Sequence, residues 1–158
     1  MEITMKIFKA MLVIGFLAVA GIIFGIYSFY QRDINALKAF ITAYGQFDQA
    51  VTVYSQEVFA PTQDANQVAA SESKTDTALA DLHTKASIKI SSAIKNEQHV
   101  MRVESEIADL STSEFHALKG YQKAAREGSS NLESLAGTYR WLKCHRQAAY
   151  AQFQDLGE

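Results

Sequence analysis

The chain has 158 residues, a formal net charge of −2, a single Pro and a single Cys. Its length fits one domain with at most an appended element, and the scarcity of Pro argues against a disordered, Pro-rich chain. One Cys excludes both an intramolecular disulfide framework and a metal cluster held by cysteines alone. The near-zero charge gives no support to electrostatic binding of nucleic acid, so no nucleic-acid partner is expected.

An uncharged segment, residues 10–30, follows a short N-terminal tail of residues 1–9. As a helix this segment would cover roughly 30 Å, the thickness of the hydrocarbon core of a bilayer. The sequence therefore predicts a transmembrane helix over residues 10–30, with the lipid bilayer as a partner. A cleaved signal peptide is the alternative, because residues 18–20 (Ala-Val-Ala) match the small-x-small cleavage pattern. The apolar run continues well past that point, which favours an uncleaved anchor.

The charges beside this segment bear on its orientation. Lys6 and Lys9 precede it and favour a cytoplasmic N-terminus, although Arg32 and Lys38 follow closely on the other side. A short tail before a single span usually stays inside. We therefore expect a single-pass membrane protein whose residues 31–158 are extracytoplasmic, and periplasmic if the cell is bacterial.

Two glycines inside the predicted span, Gly21 and Gly25, form a GxxxG pattern. Glycines one helical turn apart remove side chains from one stripe, so that the backbone of another helix can approach closely. The pattern predicts helix–helix association in the membrane through these two residues. The alternative is that they reflect only the high frequency of Gly in transmembrane helices.

Residues 31–158 are rich in good helix formers and show no sustained period-two alternation, which predicts an all-α domain. We expect an up-down-up bundle of three long helices over residues 33–60, 77–110 and 113–156. The first has an apolar stripe in alternating steps of three and four residues, and Pro61 ends it. The stripe comprises Leu37, Phe40, Tyr44, Phe47, Val51, Tyr54 and Val58.

The other helix boundaries rest on capping patterns and on heptad phase. Residues 61–78 are polar and are predicted to form a loop or a frayed helix start, with Ser73 as an N-terminal cap. Ser111 and Glu114 have the spacing of a capping box and predict the start of the third helix. Heptad phase runs unbroken through Gly128, which favours one helix to residue 156. A four-helix bundle, with a break at Gly128, is the alternative.

The predicted third helix is longer than the bundle part of the first, so its end beyond residue 139 is expected to lack a partner within the chain. Apolar groups without cover usually mean contact with another chain. The same region holds a cluster of basic and aromatic residues. The candidate partner surface comprises Tyr139, Arg140, Trp141, Leu142, Arg146, Tyr150 and Phe153.

No chemistry-bearing constellation is apparent. The four histidines (His83, His99, His116 and His145) lack the helical spacing of zinc or di-iron ligands, so no metal and no cofactor are expected. Glu97 and Glu104 lie one heptad apart and are interpreted as a solvated coiled-coil edge rather than an acid–base pair. There is no phosphate loop and no nucleophile elbow, so no catalytic residue is assigned.

These patterns favour a non-enzymatic, membrane-anchored helical interaction protein, a structural or accessory subunit of a membrane-associated assembly. Its expected partners are other protein chains or copies of itself. The alternative is an extracytoplasmic sensor or ligand-binding bundle. Its pocket would lie where the seam of the second predicted helix turns polar, around Lys89, Asn96 and Glu97.

Overall fold

The computed structural model describes the backbone of residues 2–91, 94 and 96–156, and the side chains in those ranges from residue 19 onward. Over this part of the chain it contains four helices and no strand: α1 (Glu2–Val58), α2 (Ala65–Ala86), α3 (Glu97–Arg126) and α4 (Leu132–Asp155). The predicted all-α class is confirmed. The helices pack as a bundle of four rather than three.

Helix α1 carries the apolar stripe that the sequence predicts for the first bundle helix. Six of its seven members are buried, the exception being Leu37 on the half-buried margin. The helix ends at Val58, three residues before Pro61, whose ring is incompatible with a helix interior. This helix therefore supplies one wall of the core.

The N-terminal part of α1 has a different surface. Along residues 19–30 its large apolar side chains are exposed, with 74% of the Phe24 surface accessible, whereas Asp33 is buried. Among the residues that the structure describes, no helix is long and apolar enough to cross a membrane. Residues 10–18 of the predicted span lie outside those whose side chains are described.

Helix α2 begins at Ala65, earlier than the predicted residue 77. Asp64 is its N-cap, and its carboxylate accepts hydrogen bonds from the backbone N–H groups of Asn66 at 2.8 Å and Gln67 at 3.3 Å. The predicted cap, Ser73, lies inside the helix. The polar stretch is helical because its hydroxyl groups bond back to carbonyls of the preceding turn, as Thr75 does to Ser71 O at 2.8 Å.

Helix α2 ends at Ala86 and helix α3 begins at Glu97, so the third predicted helix does not begin after a break at residues 111–113. Helix α3 runs straight through the Ser-Thr-Ser sequence because all three hydroxyls donate to the carbonyl four residues earlier, over 2.7–3.1 Å. Hydroxyls satisfied in this way are compatible with a continuous helix. Ser111 is therefore not a cap, and Glu114 is a buried residue of the helix interior.

The predicted single helix over residues 113–156 is divided at Gly128, as in the four-helix alternative. Gly128 has φ +66°, a left-handed conformation typical of the residue after a helix end. The N–H of Ser129 then donates to the carbonyl of Ala124 at 2.9 Å. Heptad phase was uninformative here because each flanking helix has its own apolar stripe, whatever connects them.

Helix α4 folds back antiparallel to α1. Phe40 contacts Phe153, Tyr44 stacks on Tyr150, and Phe59, just beyond the end of α1, contacts Tyr139. The two backbones nevertheless stay apart, since within the described part of the chain no Cα atom of one helix lies within 8 Å of a Cα atom of the other. We call this wide contact, bridged only by long side chains, the α1–α4 seam.

Candidate functional site: the α1–α4 seam

The centre of the α1–α4 seam is a buried charge cluster on Arg146. Its Nη2 donates to Asp48 Oδ1 at 2.7 Å, and its Nε donates to the carboxylate of Glu114 on α3. Arg146 and Glu114 are fully buried, whereas the carboxylate of Asp48 is partly open to solvent. One guanidinium thus links three helices, α1, α3 and α4.

Aromatic rings enclose this guanidinium. Its Cζ lies 5.2 Å from the ring centroid of Tyr44 and 5.4 Å from that of Phe47. These distances are within the range of a cation–π interaction. Tyr44 is itself covered by Tyr150, with ring centroids 3.7 Å apart and nearly parallel planes. The rings therefore help to shield the guanidinium from solvent.

The electrostatics of the cluster keep the cation charged. Burial acts to lower the pKa of Arg146, but its hydrogen bond and charge interaction with Glu114 raise it above the ordinary value. Burial raises the pKa of Glu114, and Arg146 opposes that rise. Because carboxylates already occupy two edges of the guanidinium, we interpret the cluster as a structural link between helices.

The seam opens into a groove at the end of the bundle where α1 and α3 finish and α4 begins. We call it the end groove; its volume is about 400 Å³. Apolar and aromatic side chains form most of its lining, and one acidic and one basic residue lie at its rim. The lining residues are Phe59, Tyr121, Leu132, Glu133, Ala136, Tyr139 and Arg140.

The structure divides the predicted partner surface into three groups: buried, half-buried and exposed residues. Tyr139, Leu142, Arg146 and Phe153 are buried within the chain, which corrects the expectation that this end of the helix lacks cover. The turn at residues 127–131 brings α4 back onto the bundle, so α1 and α3 cover these side chains. Tyr150 is half-buried on Tyr44.

The remaining two residues of that surface, Arg140 and Trp141, are exposed. Trp141 has 57% of its surface accessible, and its ring lies against that of His145 with centroids 3.8 Å apart and planes tilted by 34°. Arg140 forms an exposed ion pair with Glu133 at 2.8 Å. Of the predicted partner surface, only this exposed face of α4 is free to contact another chain.

The other predicted sites are placed as follows. Gly21 and Gly25 lie on the exposed part of α1, where an added Cβ atom would meet nothing within 4 Å. Lys89 and Asn96 lie in the connection between α2 and α3, both exposed, while Glu97 begins α3. The structure therefore does not place the polar middle of a helical seam at these residues.

Three buried acidic residues were missed or misjudged from the sequence. Asp33 on α1 accepts hydrogen bonds from both the N–H and the hydroxyl of Ser91, and so ties the α2–α3 connection to α1. Glu104 is buried on α3 rather than solvated, and burial raises its pKa to about 7. Glu114 resembled a capping residue, and only the position of Arg146 reveals its role.

Within the described residues, no group of three or more His, Cys, Asp or Glu side chains is arranged to hold a metal ion. Comparisons with protein-family models, with curated proteins and with solved structures find no match to this chain.

Proposed function

We propose that this chain is a non-enzymatic, single-pass membrane-anchored helical protein that acts as a structural or accessory subunit of a membrane-associated assembly. The observation that carries the proposal is the exposed apolar segment of α1, residues 19–30, which continues the same helix that forms the bundle. Contiguous exposed apolar surface of this kind marks contact with lipid or protein. The uncharged run of residues 10–30 supports lipid.

Alkaline carbonate extraction of membranes containing the full chain tests the anchor. We expect the native chain to stay in the membrane pellet and an Ile22→Lys/Ile26→Lys variant to be released. The matched control is Ile41→Lys/Val53→Lys, which places the same charges at exposed apolar positions of α1 within the bundle. Release of the native chain would contradict the anchor.

The single cysteine tests the orientation. Cys144 is exposed on α4, so a membrane-impermeant maleimide reaches it only from its own side of the membrane. An extracytoplasmic bundle predicts labelling in intact cells, with no increase after permeabilisation. Labelling only after permeabilisation would place the bundle in the cytoplasm. Cys144→Ser provides the background.

Association through the membrane segment is tested at the two glycines. Because an added Cβ atom at Gly21 or Gly25 meets nothing within 4 Å and both residues lie outside the bundle, Gly21→Leu/Gly25→Leu tests association without disturbing the bundle. We expect this variant to have a lower oligomeric mass in mild detergent. Gly45→Leu, at an equally open position of α1 outside the predicted span, is the control.

The partner itself is sought by co-purification of the full chain from membranes in mild detergent. Trp141→Ala is expected to reduce recovery of the partner, because Trp141 is the largest exposed side chain on the free face of α4. A chain that is monomeric in detergent and recovers no partner would overturn the interaction function.

A further inference from the structure

The connection between α2 and α3 contacts α1 directly beyond the exposed apolar segment. The carboxylate of Asp33 accepts a hydrogen bond from the backbone N–H of Ser91 at 3.0 Å and another from the hydroxyl of the same residue. Asp33 follows Tyr30 by three residues, which is about 4.5 Å along a helix. The end of the bundle that carries this connection is therefore the end nearest residues 19–30.

This position sets the height of the connection above the bilayer in the proposed anchored state. The headgroup layer adds roughly 5–7 Å to each side of the hydrocarbon core. With residues 10–30 across that core, Asp33 and the Ser91 bonded to it lie within the headgroup layer. Phe29 and Tyr30 are exposed just below them, at the level that aromatic side chains prefer in membrane proteins.

Two adjacent side chains of the connection are exposed at this level. Ile88 keeps 38% of its surface accessible, whereas Ile90 belongs to the core. Lys89 is exposed and makes no ion pair with any other residue that the structure describes. An apolar side chain beside an unpaired ammonium suits the membrane interface, where the first reaches towards the hydrocarbon and the second meets phosphate.

A second exposed cation lies at the same level on α1. The side chain of Arg32 is exposed, with its Cζ 5.2 Å from the ring centroid of Phe29 and its Nη2 3.6 Å from Asp33 Oδ1. The carboxyl group of Asp33 is buried, and Glu97 at the start of α3 is half-buried. The exposed charges of Arg32 and Lys89 are therefore both positive, which complements the phosphates of a bilayer surface.

We infer that the α2–α3 connection forms a second membrane contact, in which Ile88 enters the headgroup layer and the cations of Lys89 and Arg32 bind phospholipid phosphates. The inference rests on the proposed anchor, which brings the connection to the bilayer. The anchor alone leaves the bundle free to tilt and to rotate about the axis of α1. The second contact fixes which side of the bundle faces the membrane.

Nitroxide labels on the full chain, in nanodiscs of phosphatidylcholine and phosphatidylglycerol, test this contact. Each label is attached to one introduced cysteine in a Cys144→Ser background. The sites are Ile88→Cys, Ile26→Cys in the apolar segment, and Val53→Cys, an exposed position on α1 about 30 Å beyond Asp33. Oxygen is concentrated in lipid and a nickel chelate stays in water. We expect the ratio of oxygen to nickel relaxation to be highest at Ile26, intermediate at Ile88 and lowest at Val53.

Charge reversal tests the contribution of Lys89. In the Ile88→Cys chain, Lys89→Glu should lower the ratio of lipid-contacting to water-exposed label by at least about five-fold, which corresponds to the attraction of one Lys for an anionic bilayer. The matched control is Lys74→Glu, the same change of charge at an exposed site of α2. That site lies about 18 Å along the helix from its end, beyond the screening length of physiological salt, so we expect no change.

The three labels separate failure of the inference from failure of the anchor. An Ile26 label more accessible to nickel than to oxygen would contradict both. An Ile26 label in lipid, with an Ile88 label as exposed to water as the Val53 label, would overturn the second contact and leave the anchor intact. Shielding of the Ile88 label from both reagents would show a protein partner instead of lipid, and equal effects of Lys89→Glu and Lys74→Glu would also overturn the inference. Circular dichroism confirms that each variant is folded.

Discussion

Arg146 and Asp48 lie 98 positions apart in the chain, yet their side chains meet in a 2.7 Å ion pair across the α1–α4 seam. The same guanidinium bonds Glu114, so the last helix is held to both the first and the third by one side chain. The backbones of α3 and α4 pack closely whereas those of α1 and α4 stay apart, so these long side chains are what connects the fourth helix to the first. Removing the cation should therefore affect the whole bundle.

We expect Arg146→Met to lower the free energy of unfolding by about 3–5 kcal/mol, since it leaves the carboxylate of Glu114 buried without its cation. Arg146→Met/Glu114→Gln should recover part of that loss because no buried charge is left unpaired. Chemical unfolding of the full chain in mild detergent, followed by circular dichroism, measures both changes.

The matched control is Arg140→Met, which breaks the exposed ion pair with Glu133 and should cost less than about 1 kcal/mol. Equal losses for Arg140→Met and Arg146→Met would show that the buried cluster does not hold the bundle together.

Glu104 gives the fold a pH dependence of definite sign. Burial raises its pKa from 4.5 to about 7, so the folded state binds more protons than the unfolded state between these values. The contribution of Glu104 to the free energy of unfolding is greatest below about pH 4.5. This contribution falls by about 3 kcal/mol as the pH rises from there through about 7.

Glu104→Gln should remove this dependence and make the chain more stable than the native protein at pH 8. Glu106→Gln, at an exposed position of the same helix, should leave the pH profile unchanged. Unfolding titrations at pH 5, 6, 7 and 8 measure the slope. An unaltered slope in Glu104→Gln would exclude this carboxyl group as its source.

Asp33 is expected to hold the α2–α3 connection in place. Asp33→Ala removes the acceptor of two donors on Ser91 and should cost about 1.5–3 kcal/mol, the usual value for hydrogen bonds to a charged group. Amide hydrogen exchange should accelerate at Ile90 and Ser91. Arg32→Ala, which removes an exposed side chain that lies 3.6 Å from Asp33 and over the ring of Phe29, should leave exchange there unchanged.

The left-handed conformation of Gly128 predicts that replacing Gly by Ala has opposite effects on stability at Gly128 and at Gly120, a glycine within α3. Gly128→Ala should destabilise the chain by about 1 kcal/mol because φ +66° disfavours any Cβ atom. Gly120→Ala, inside α3 with open space around it, should stabilise by about 0.5–1 kcal/mol. Thermal unfolding separates the two variants, and a shared sign would contradict the assigned turn.

The sequence predicted the structure best where a single apolar periodicity determined which side chains are buried. The stripe of α1 was identified almost residue for residue, because a surface helix that packs on one side must repeat its apolar positions. The predicted helix boundaries differ from the observed ones because Ser and Thr occur both as N-caps and inside helices. Ser111 resembles a cap in the sequence, but its hydroxyl bonds back to Ile107 O and leaves the helix intact.

The seam shows a second limit of sequence reasoning. Arg146 was assigned to a surface for another chain, and its partners Asp48 and Glu114 became recognisable only when the turn at Gly128 reversed the last helix. The end groove had no signal in the sequence. Its lining comes from the ends of three helices, and Tyr139 stands out only because its hydroxyl lacks a bond.

Because α1 is continuous, the direction in which each apolar side chain of residues 19–30 points is fixed relative to the bundle. Each residue of a helix turns its successor by about 100° and advances it by about 1.5 Å. One residue inserted near Arg32 would therefore turn the whole face of residues 19–30 by that angle about the bundle, with neither part altered internally. A partner that contacts both the bundle and the apolar segment is therefore sensitive to the number of residues between them.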